Sequence, residues 1–406
     1  MMEYTPKYLV MVTDRNNNKY YKMTPQGDNF RVEFGRVGGS SQIASYPISQ
    51  WSKKYNEKIK KGYVDRTDLI EDLIEKEKPK NDDGFGEIEN RAIALIVERL
   101  QAMAKKAVAD NYNISSNKVT MAMINKAQEA LASMVDAASK PSTSVQSFNE
   151  SLLDLFGIIP RKMSTVSHYL ATKPDDFGHI LQREQDLLDV MKGQVYIPPK
   201  IECNTSAVEQ AETILEANGL VFEEVDAADI EKIKSCLGSC ADKFHKAWRV
   251  KNIRTQKSFD EYVQKENIQT KLLWHGSRNE NWWSIVKSGL VLKPTNAVIT
   301  GKMFGYGIYF ATKARKSFGY TSYSGSYWAR GTSSSAFMGL YEVAYGKPYD
   351  VYSFENRLSS LTYDKLQQTC PGAHCVHAHE GQMLRNDEII VYQECQTTIK
   401  YLVELK

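Results

Sequence analysis

Three separated motifs in this chain carry residue types that could do chemistry together. In Lys271-Leu-Leu-Trp-His-Gly-Ser-Arg278, the apolar run Leu272 to Trp274 reads as a buried strand that delivers His275, Gly276 and Ser277 to its end. A glycine beside a histidine has no Cβ, so a ligand can approach the backbone closely. The second motif is Gly301-Lys-Met-Phe-Gly-Tyr-Gly-Ile-Tyr-Phe-Ala311, followed by Ser317 and Tyr320; it offers aromatic faces and a hydroxyl. The third, Asn386-Asp-Glu-Ile-Ile-Val-Tyr392, sets Glu388 at the head of another apolar strand. A carboxylate in such a place can take a proton or stabilise a developing positive charge. A lone strand-end histidine or glutamate is ordinarily structural; it is the flanks of each residue, more than its type, that point to chemistry.

The elements that must position these residues lie in a block from about Pro198 to Lys406. Strands are expected at Ala247–Lys251, Lys271–His275, Gly307–Phe310, Tyr341–Tyr345, Glu388–Tyr392 and Ile399–Leu405, with amphipathic helices at Val208–Asn218 and Ala228–Cys240. The preceding block reads as helical. Ile93, Ile96, Val97, Leu100, Met103 and Ala107 recur at helical spacing, and a second helix is expected over Val119–Ala137 with Ser115 or Ser116 as N-cap. Further helices are expected at Phe148–Phe156, Thr165–Leu170 and Phe177–Met191, with Met103, Met121, Met123 and Met134 as core filling. Glu71 to Gly86 is charged and broken by Pro79 and Gly84, a linker. At the start, Tyr8–Thr13, Lys19–Met23 and Phe30–Phe34 are β runs separated by turn residues, followed by a lysine-rich helical stretch, Trp51–Lys61.

At 406 residues the chain has room for about three domains. Its apolar stretches are too short to span a bilayer, and the N-terminus lacks the pattern of a secretory signal. Six cysteines make no disulfide framework in a chain of this length, which favours a reducing compartment. The formal charge of +3 is uneven: residues 1–66 hold twelve Lys/Arg against six Asp/Glu, leaving about −3 for the rest. That excess suggests a polyanion partner for the N-terminal module; the alternative is a solvated lysine-rich face.

The three motifs, in this order and with these flanks, resemble the His-Tyr-Glu site of the poly(ADP-ribose) polymerase type of ADP-ribosyltransferase. The resemblance implies NAD+ as substrate. His275 would donate to the adenosine-ribose hydroxyl, and Gly276, with Ser277 beside it, would bind the nicotinamide carboxamide through its backbone. Tyr309 and Tyr320 would sandwich the nicotinamide ring, a stack worth about 0.5–1.5 kcal/mol beyond burial, although Tyr306, Tyr323 and Tyr327 compete for the place of Tyr320. Ser317 would hold the carboxamide. Glu388 would bind the nicotinamide-ribose 2′-hydroxyl and polarise the acceptor, while Met303 and Lys316 would lie on the acceptor side. The segment Val291 to Thr300 would close over NAD+.

The resemblance extends upstream. Residues 1–70 resemble the WGR domain, with Phe34 standing where that domain keeps tryptophan in Phe34-Gly-Arg36. Leu152 to Pro160 and Leu187 to Met191 are similar to segments of the family's helical regulatory domain. The implied architecture is multidomain: a small α+β WGR-like module at 1–70, a linker at 71–87, an all-α regulatory domain at 88–195, and an α+β transferase at 196–406. Arg36 would touch DNA or the helical domain, and Lys53, Lys54, Lys58, Lys60 and Lys61 would neutralise phosphates. The expected function is DNA-break-activated transfer of ADP-ribose to proteins, the enzyme itself included, with DNA ends or nicks as partner, no membrane, and a nuclear setting in a eukaryote or a cytoplasmic one otherwise. The rival readings are a DNA-independent mono-ADP-ribosyltransferase and a DNA-end-binding scaffold that no longer turns over.

Cys370, His374, Cys375, His377 and His379 fall within ten residues and invite a zinc reading. The same stretch resembles the family's Gly-x-His-Ser-Val segment, which binds no metal, so no metal is expected. Cys236 and Cys240, one helical turn apart, read as packing residues. Thirteen residues separate His374 from Glu388, where polymerising relatives insert a longer hairpin. Both mono- and poly-ADP-ribosylation therefore stay open.

Overall fold

The computed structural model describes residues 4–67, 85–112, 119–140, 142–195, 212–292, 303–327 and 329–406. They fall into two compact units: 1–79 with 105–195, and 80–104 with 196–295 and 300–406. No helix among the described residues is long and apolar enough to cross a membrane.

The first unit opens with β1 (Lys7–Thr13), β2 (Asn17–Gln26), β3 (Asn29–Arg36) and β4 (Ser41–Pro47), then α1 (Trp51–Lys60) and β5 (Val64–Asp65). The strands form an antiparallel sheet in the order β4-β3-β2-β1-β5. Alternation turns Tyr21, Met23, Phe30 and Val32 to one face, where Trp51 of α1 covers them. Phe34 packs at the border of this core, 5.9 Å from the Tyr21 ring.

Helices α2 (Arg91–Asn111), α3 (Met121–Ala138), α4 (Val145–Ile158) and α5 (Asp176–Val195) follow, the first of them counted with the second unit up to residue 104. Met123, Leu131 and Met134 of α3 and Leu152 and Phe156 of α4 are buried, and Phe148 stacks on Phe177 at 4.0 Å. The N-cap of α3 is Thr120, whose hydroxyl accepts from the Met123 amide, rather than Ser115 or Ser116, which lie outside the described residues. The expected helix at Thr165–Leu170 is a single 3-10 turn, Val166–Tyr169. Arg161 and Glu184 form a buried ion pair at 2.6 Å.

The second unit carries β6 (Leu220–Glu224), β7 (Phe244–Asn252), β8 (Thr270–Gly276), β9 (Ile308–Ala311), β10 (Ala336–Ala344), β11 (Pro348–Val351), β12 (Cys375–Ala378), β13 (Glu388–Val391) and β14 (Thr397–Leu405). They join in one sheet, in the order β11-β12-β13-β9-β8-β10-β14-β7-β6. Around it lie α6 (Ile214–Ala217), α7 (Ala227–Leu237), α8 (Ile253–Glu266), α9 (Trp282–Ser288), α10 (Ala314–Phe318) and α11 (Tyr363–Thr369). The helix expected at Val208–Asn218 is described only from 212 onward, where it is the short α6. β10 starts at Ala336, five residues before the expected Tyr341, because Ala336 to Leu340 are buried throughout. Gly339 sits inside that strand because a Cβ there would meet Tyr341 and Trp282 at 2.4 and 2.9 Å.

Candidate active site

The sheet order makes β8, β9 and β13 neighbours, β9 lying between the other two, so motifs more than a hundred residues apart in sequence come together. Glu388, the first residue of β13, pairs with Ala311, and Ala311 also pairs with Trp274 of β8. One residue beyond Trp274 stands His275. Its Nδ1 lies 3.0 Å from the Tyr309 carbonyl oxygen. A carbonyl only accepts, so Nδ1 carries the hydrogen. Burial holds the ring's pKa below its usual value and keeps it neutral, against the smaller opposing effect of the Tyr309 contact. Nε2 is then an acceptor. In this tautomer Nε2 is available to accept a hydrogen bond from a hydroxyl.

Gly276 answers a steric demand within the protein itself. A Cβ at this position would lie 1.9 Å from the Ser317 carbonyl oxygen, so the missing side chain admits the backbone of α10. Ser317 is buried and its hydroxyl donates to the Trp274 carbonyl at 2.9 Å. Its Oγ lone pairs remain as acceptors. The Ser277 hydroxyl accepts from the Asn281 side-chain amide at 2.9 Å.

The Tyr309 hydroxyl accepts from the Phe304 amide (3.1 Å) and donates to the Gly305 carbonyl (2.9 Å), which pins the turn before β9. Burial, with Glu388 as a lesser contributor, raises its pKa above the ordinary phenol value. Tyr320 is pushed up to about 12, first by burial and then by the nearby Glu388 charge. Both tyrosines are therefore neutral and lie within the field of the same carboxylate. Met303 is half-buried against the core built around Phe304 and Leu358. Residues 293–300, most of the segment expected to close over NAD+, lie outside the described residues.

Glu388 is only 7% exposed. One carboxylate oxygen, Oε1, is ion-paired with the Lys316 ammonium, whose side chain comes from α10 and is itself largely buried. The other, Oε2, is buried and has no hydrogen-bond partner. A buried acceptor left unsatisfied costs on the order of 1–3 kcal/mol, and such atoms are rare in folded proteins unless a function explains them. The pairing of Lys316 with Glu388 has no local signal in the sequence, since it depends on a helix and a strand end seventy-two residues apart meeting in the fold.

Arg99 of α2 makes a contact that the sequence does not suggest. Its guanidinium binds buried Glu404 at 2.7 Å and the Ser335 hydroxyl at 2.8 Å, and lies 5.0 Å over the Phe337 ring. Asn279, just past the His275 motif, donates to the Ser335 carbonyl and accepts from the Phe337 amide. In the first unit, the Arg36 guanidinium donates to the Asn16 carbonyl and side chain and to the carbonyls of Met163 and Ser164. Lys53, Lys60 and Lys61 are exposed, Lys61 paired with Glu57, whereas Lys54 and Lys58 lie over the rings of Tyr46 and Tyr21.

Adjoining strands of the sheet thus carry His275, Tyr309 and buried Glu388, with Tyr320 in the turn after α10, the residues expected of an ADP-ribosyltransferase type of site. Residues 227–406 match the family model of the poly(ADP-ribose) polymerase catalytic domain. Two proteins of Invertebrate iridescent virus 6 are similar. Uncharacterized protein 101L is 33% identical over 56% of this chain and 93% of its own length; putative poly [ADP-ribose] polymerase-like 100L is 30% identical over 45% of this chain and 97% of its own. Human poly [ADP-ribose] polymerase 2 is 23% identical over 96% of this chain and 77% of its own length. The chain belongs to the poly(ADP-ribose) polymerase family: it is an NAD+ ADP-ribosyltransferase, and the family's reaction requires no metal.

Proposed function

We propose that this enzyme transfers ADP-ribose from NAD+ to protein acceptors, with release of nicotinamide, and that DNA breaks activate it. The observation that carries the catalytic reading is the buried, unpartnered Oε2 of Glu388. A nicotinamide-ribose 2′-hydroxyl donating to that oxygen satisfies it, and the carboxylate then stands beside C1′ as the carbon gains oxocarbenium character. Lys316 aims Glu388 by pairing with its other oxygen. The neutral His275 takes the adenosine-ribose hydroxyl at Nε2, and Gly276 and the Ser317 hydroxyl hold the carboxamide. Tyr309 and Tyr320 flank the ring. These contacts position the substrate, and much of the catalytic advantage arises from positioning.

The DNA reading is supported by the exposed Lys53, Lys60 and Lys61 on a basic module and by likeness along nearly the whole chain to human poly [ADP-ribose] polymerase 2. The division into WGR-like module, linker, regulatory domain and transferase belongs to the same proposal, with Arg36 and Arg99 as the side chains through which the helical region holds its neighbours. The short connection over residues 379–387, between β12 and β13, favours mono-ADP-ribosylation or very short chains as the product. Gel analysis of protein modified with labelled NAD+ tests this. Discrete bands that do not lengthen with time are expected, and a ladder growing into long polymer overturns it.

A further inference from the structure

The histidine- and cysteine-rich stretch before Glu388 has no part in the chemistry above, and the structure sorts its members. Cys375 is buried, its thiol donating to the Tyr345 carbonyl at 3.3 Å, and His374 Nδ1 accepts from the Lys347 amide at 2.9 Å. His377 and His379 are different. Two residues apart on β12 and its edge, they project from the same face of the strand, their rings stacked 3.9 Å apart. Parallel pairing of β11 with β12 sets Asp350 opposite His377. Asp350 Oδ1 then lies 2.7 Å from His379 Nε2 and 3.8 Å from His377 Nδ1. One ligand atom from each of the three residues falls within 4.8 Å of the others, the one such His/Cys/Asp/Glu group among the described residues.

We propose that Asp350, His377 and His379 bind one divalent first-row transition ion, with zinc the best match. Two imidazoles and one carboxylate are the donors of a three-ligand zinc site with an open fourth position, and they discriminate against magnesium and calcium, which prefer all-oxygen shells. Zinc–nitrogen and zinc–oxygen bonds near 2.1 Å in tetrahedral geometry hold ligand atoms about 3.4 Å apart. The two observed spacings bracket that value, so binding requires the His379–Asp350 contact to open by about 0.7 Å. The outer shell is in place as well. His377 Nε2, the nitrogen facing away from the cluster, is buried and lies 3.4 Å from Asp387 Oδ2. A carboxylate behind a liganding histidine fixes its tautomer and strengthens the bond to the metal. The Tyr345 hydroxyl, 2.8 Å from His377 Nδ1, gives up that contact to the ion. Asp387 immediately precedes Glu388 in the chain, and its carboxylate also accepts from the Glu380 amide at 2.7 Å. The ion thus ties the outer strands β11 and β12 to the residue before the candidate catalytic glutamate. Its part is to position that corner, and the transfer reaction proceeds without it.

The test uses the whole chain, stripped with a chelator and titrated with Zn2+ by calorimetry, with Mg2+ as control and Co2+ as a spectroscopic probe. One equivalent of Zn2+ should bind, Mg2+ should not, and the Co2+ complex should show visible bands of low coordination without thiolate charge-transfer absorption. Asp350→Asn and His379→Gln, at partly exposed positions, should each lose stoichiometric binding while keeping metal-free transfer activity. Asp387→Asn should weaken binding about 10–100-fold as an outer-shell change. Absence of stoichiometric binding, equal binding of Mg2+, or thiolate bands in the Co2+ spectrum would each overturn the assignment. Should a variant fail to fold, the Zn2+ stoichiometry and Co2+ spectrum of the unsubstituted protein decide alone.

Discussion

At the scale of single residues, Glu388 is the centre of the site: one oxygen held by a lysine, the other buried without a partner. Glu388→Gln keeps the shape and removes the charge. Transfer should fall by about 10²–10³-fold, the range for loss of one preorganised electrostatic contact, with the KM for NAD+ changed far less. A variant that transfers at the normal rate would remove Glu388 from the site. His275→Ala should instead raise the KM sharply, because its role is placement. Its partly buried ring also gives stability a pH dependence of known sign. With its folded pKa below the usual 6.5, the unfolded chain binds the extra proton as pH falls past that value. The stability advantage of the wild type over His275→Gln should therefore shrink between pH 7 and 5, read as the difference in Tm. A constant difference would mean that His275 is not held neutral. His275 and Glu388 are legible in the sequence because one ends and the other heads an apolar run, and Tyr309 because it lies within one, Ile308 to Ala311. The tautomer of His275 and the Lys316 pairing are not, since both depend on atoms from distant strands meeting.

At the scale of elements, α10 is seated by what Gly276 lacks. Gly276→Ala puts a Cβ against backbone rather than a yielding side chain, so α10 must shift and take Lys316 and Ser317 with it. Binding of NAD+ should be lost while the N-terminal unit keeps its fold; equilibrium binding together with circular dichroism measures both. An alanine variant that binds NAD+ normally would contradict the packing argument. The six strands expected around the site all form, whereas β6, β11 and β12 are not legible in the sequence. β11 is four residues long and begins at a proline, and the histidines of β12 draw attention as ligands rather than as strand residues. Helix α8 is equally hidden, because among its fourteen residues only Phe259 is buried and the apolar period is faint.

At the scale of the whole molecule, the proposal is that the basic module senses DNA and the helical region relays its binding to the transferase. Exposed lysines and an internally engaged arginine should then separate in their effects. Lys53→Glu with Lys60→Glu should weaken DNA binding and lower the steepness of its salt dependence, by a log–log slope of about 0.9 for each phosphate no longer neutralised. Arg36→Ala removes the bonds to the Met163 and Ser164 carbonyls. It should leave DNA affinity nearly intact while reducing DNA stimulation, measured by anisotropy and by transfer assay. Equal loss of both would make Arg36 a DNA contact. The charge excess of residues 1–66 is legible by counting, but only the fold divides its lysines into exposed ones and those lying over Tyr21 and Tyr46.

The most direct test of the central claim is the rate at which the purified chain incorporates label from NAD+, with and without nicked DNA, beside its Glu388→Gln variant. Slow incorporation is expected without DNA, a rise of about 5–150-fold with nicked DNA, as an energetic coupling of about 1–3 kcal/mol gives, and near-background rates for the variant under both conditions. Incorporation by the wild type that ignores DNA would contradict the gating, and equal incorporation by the variant would contradict the site.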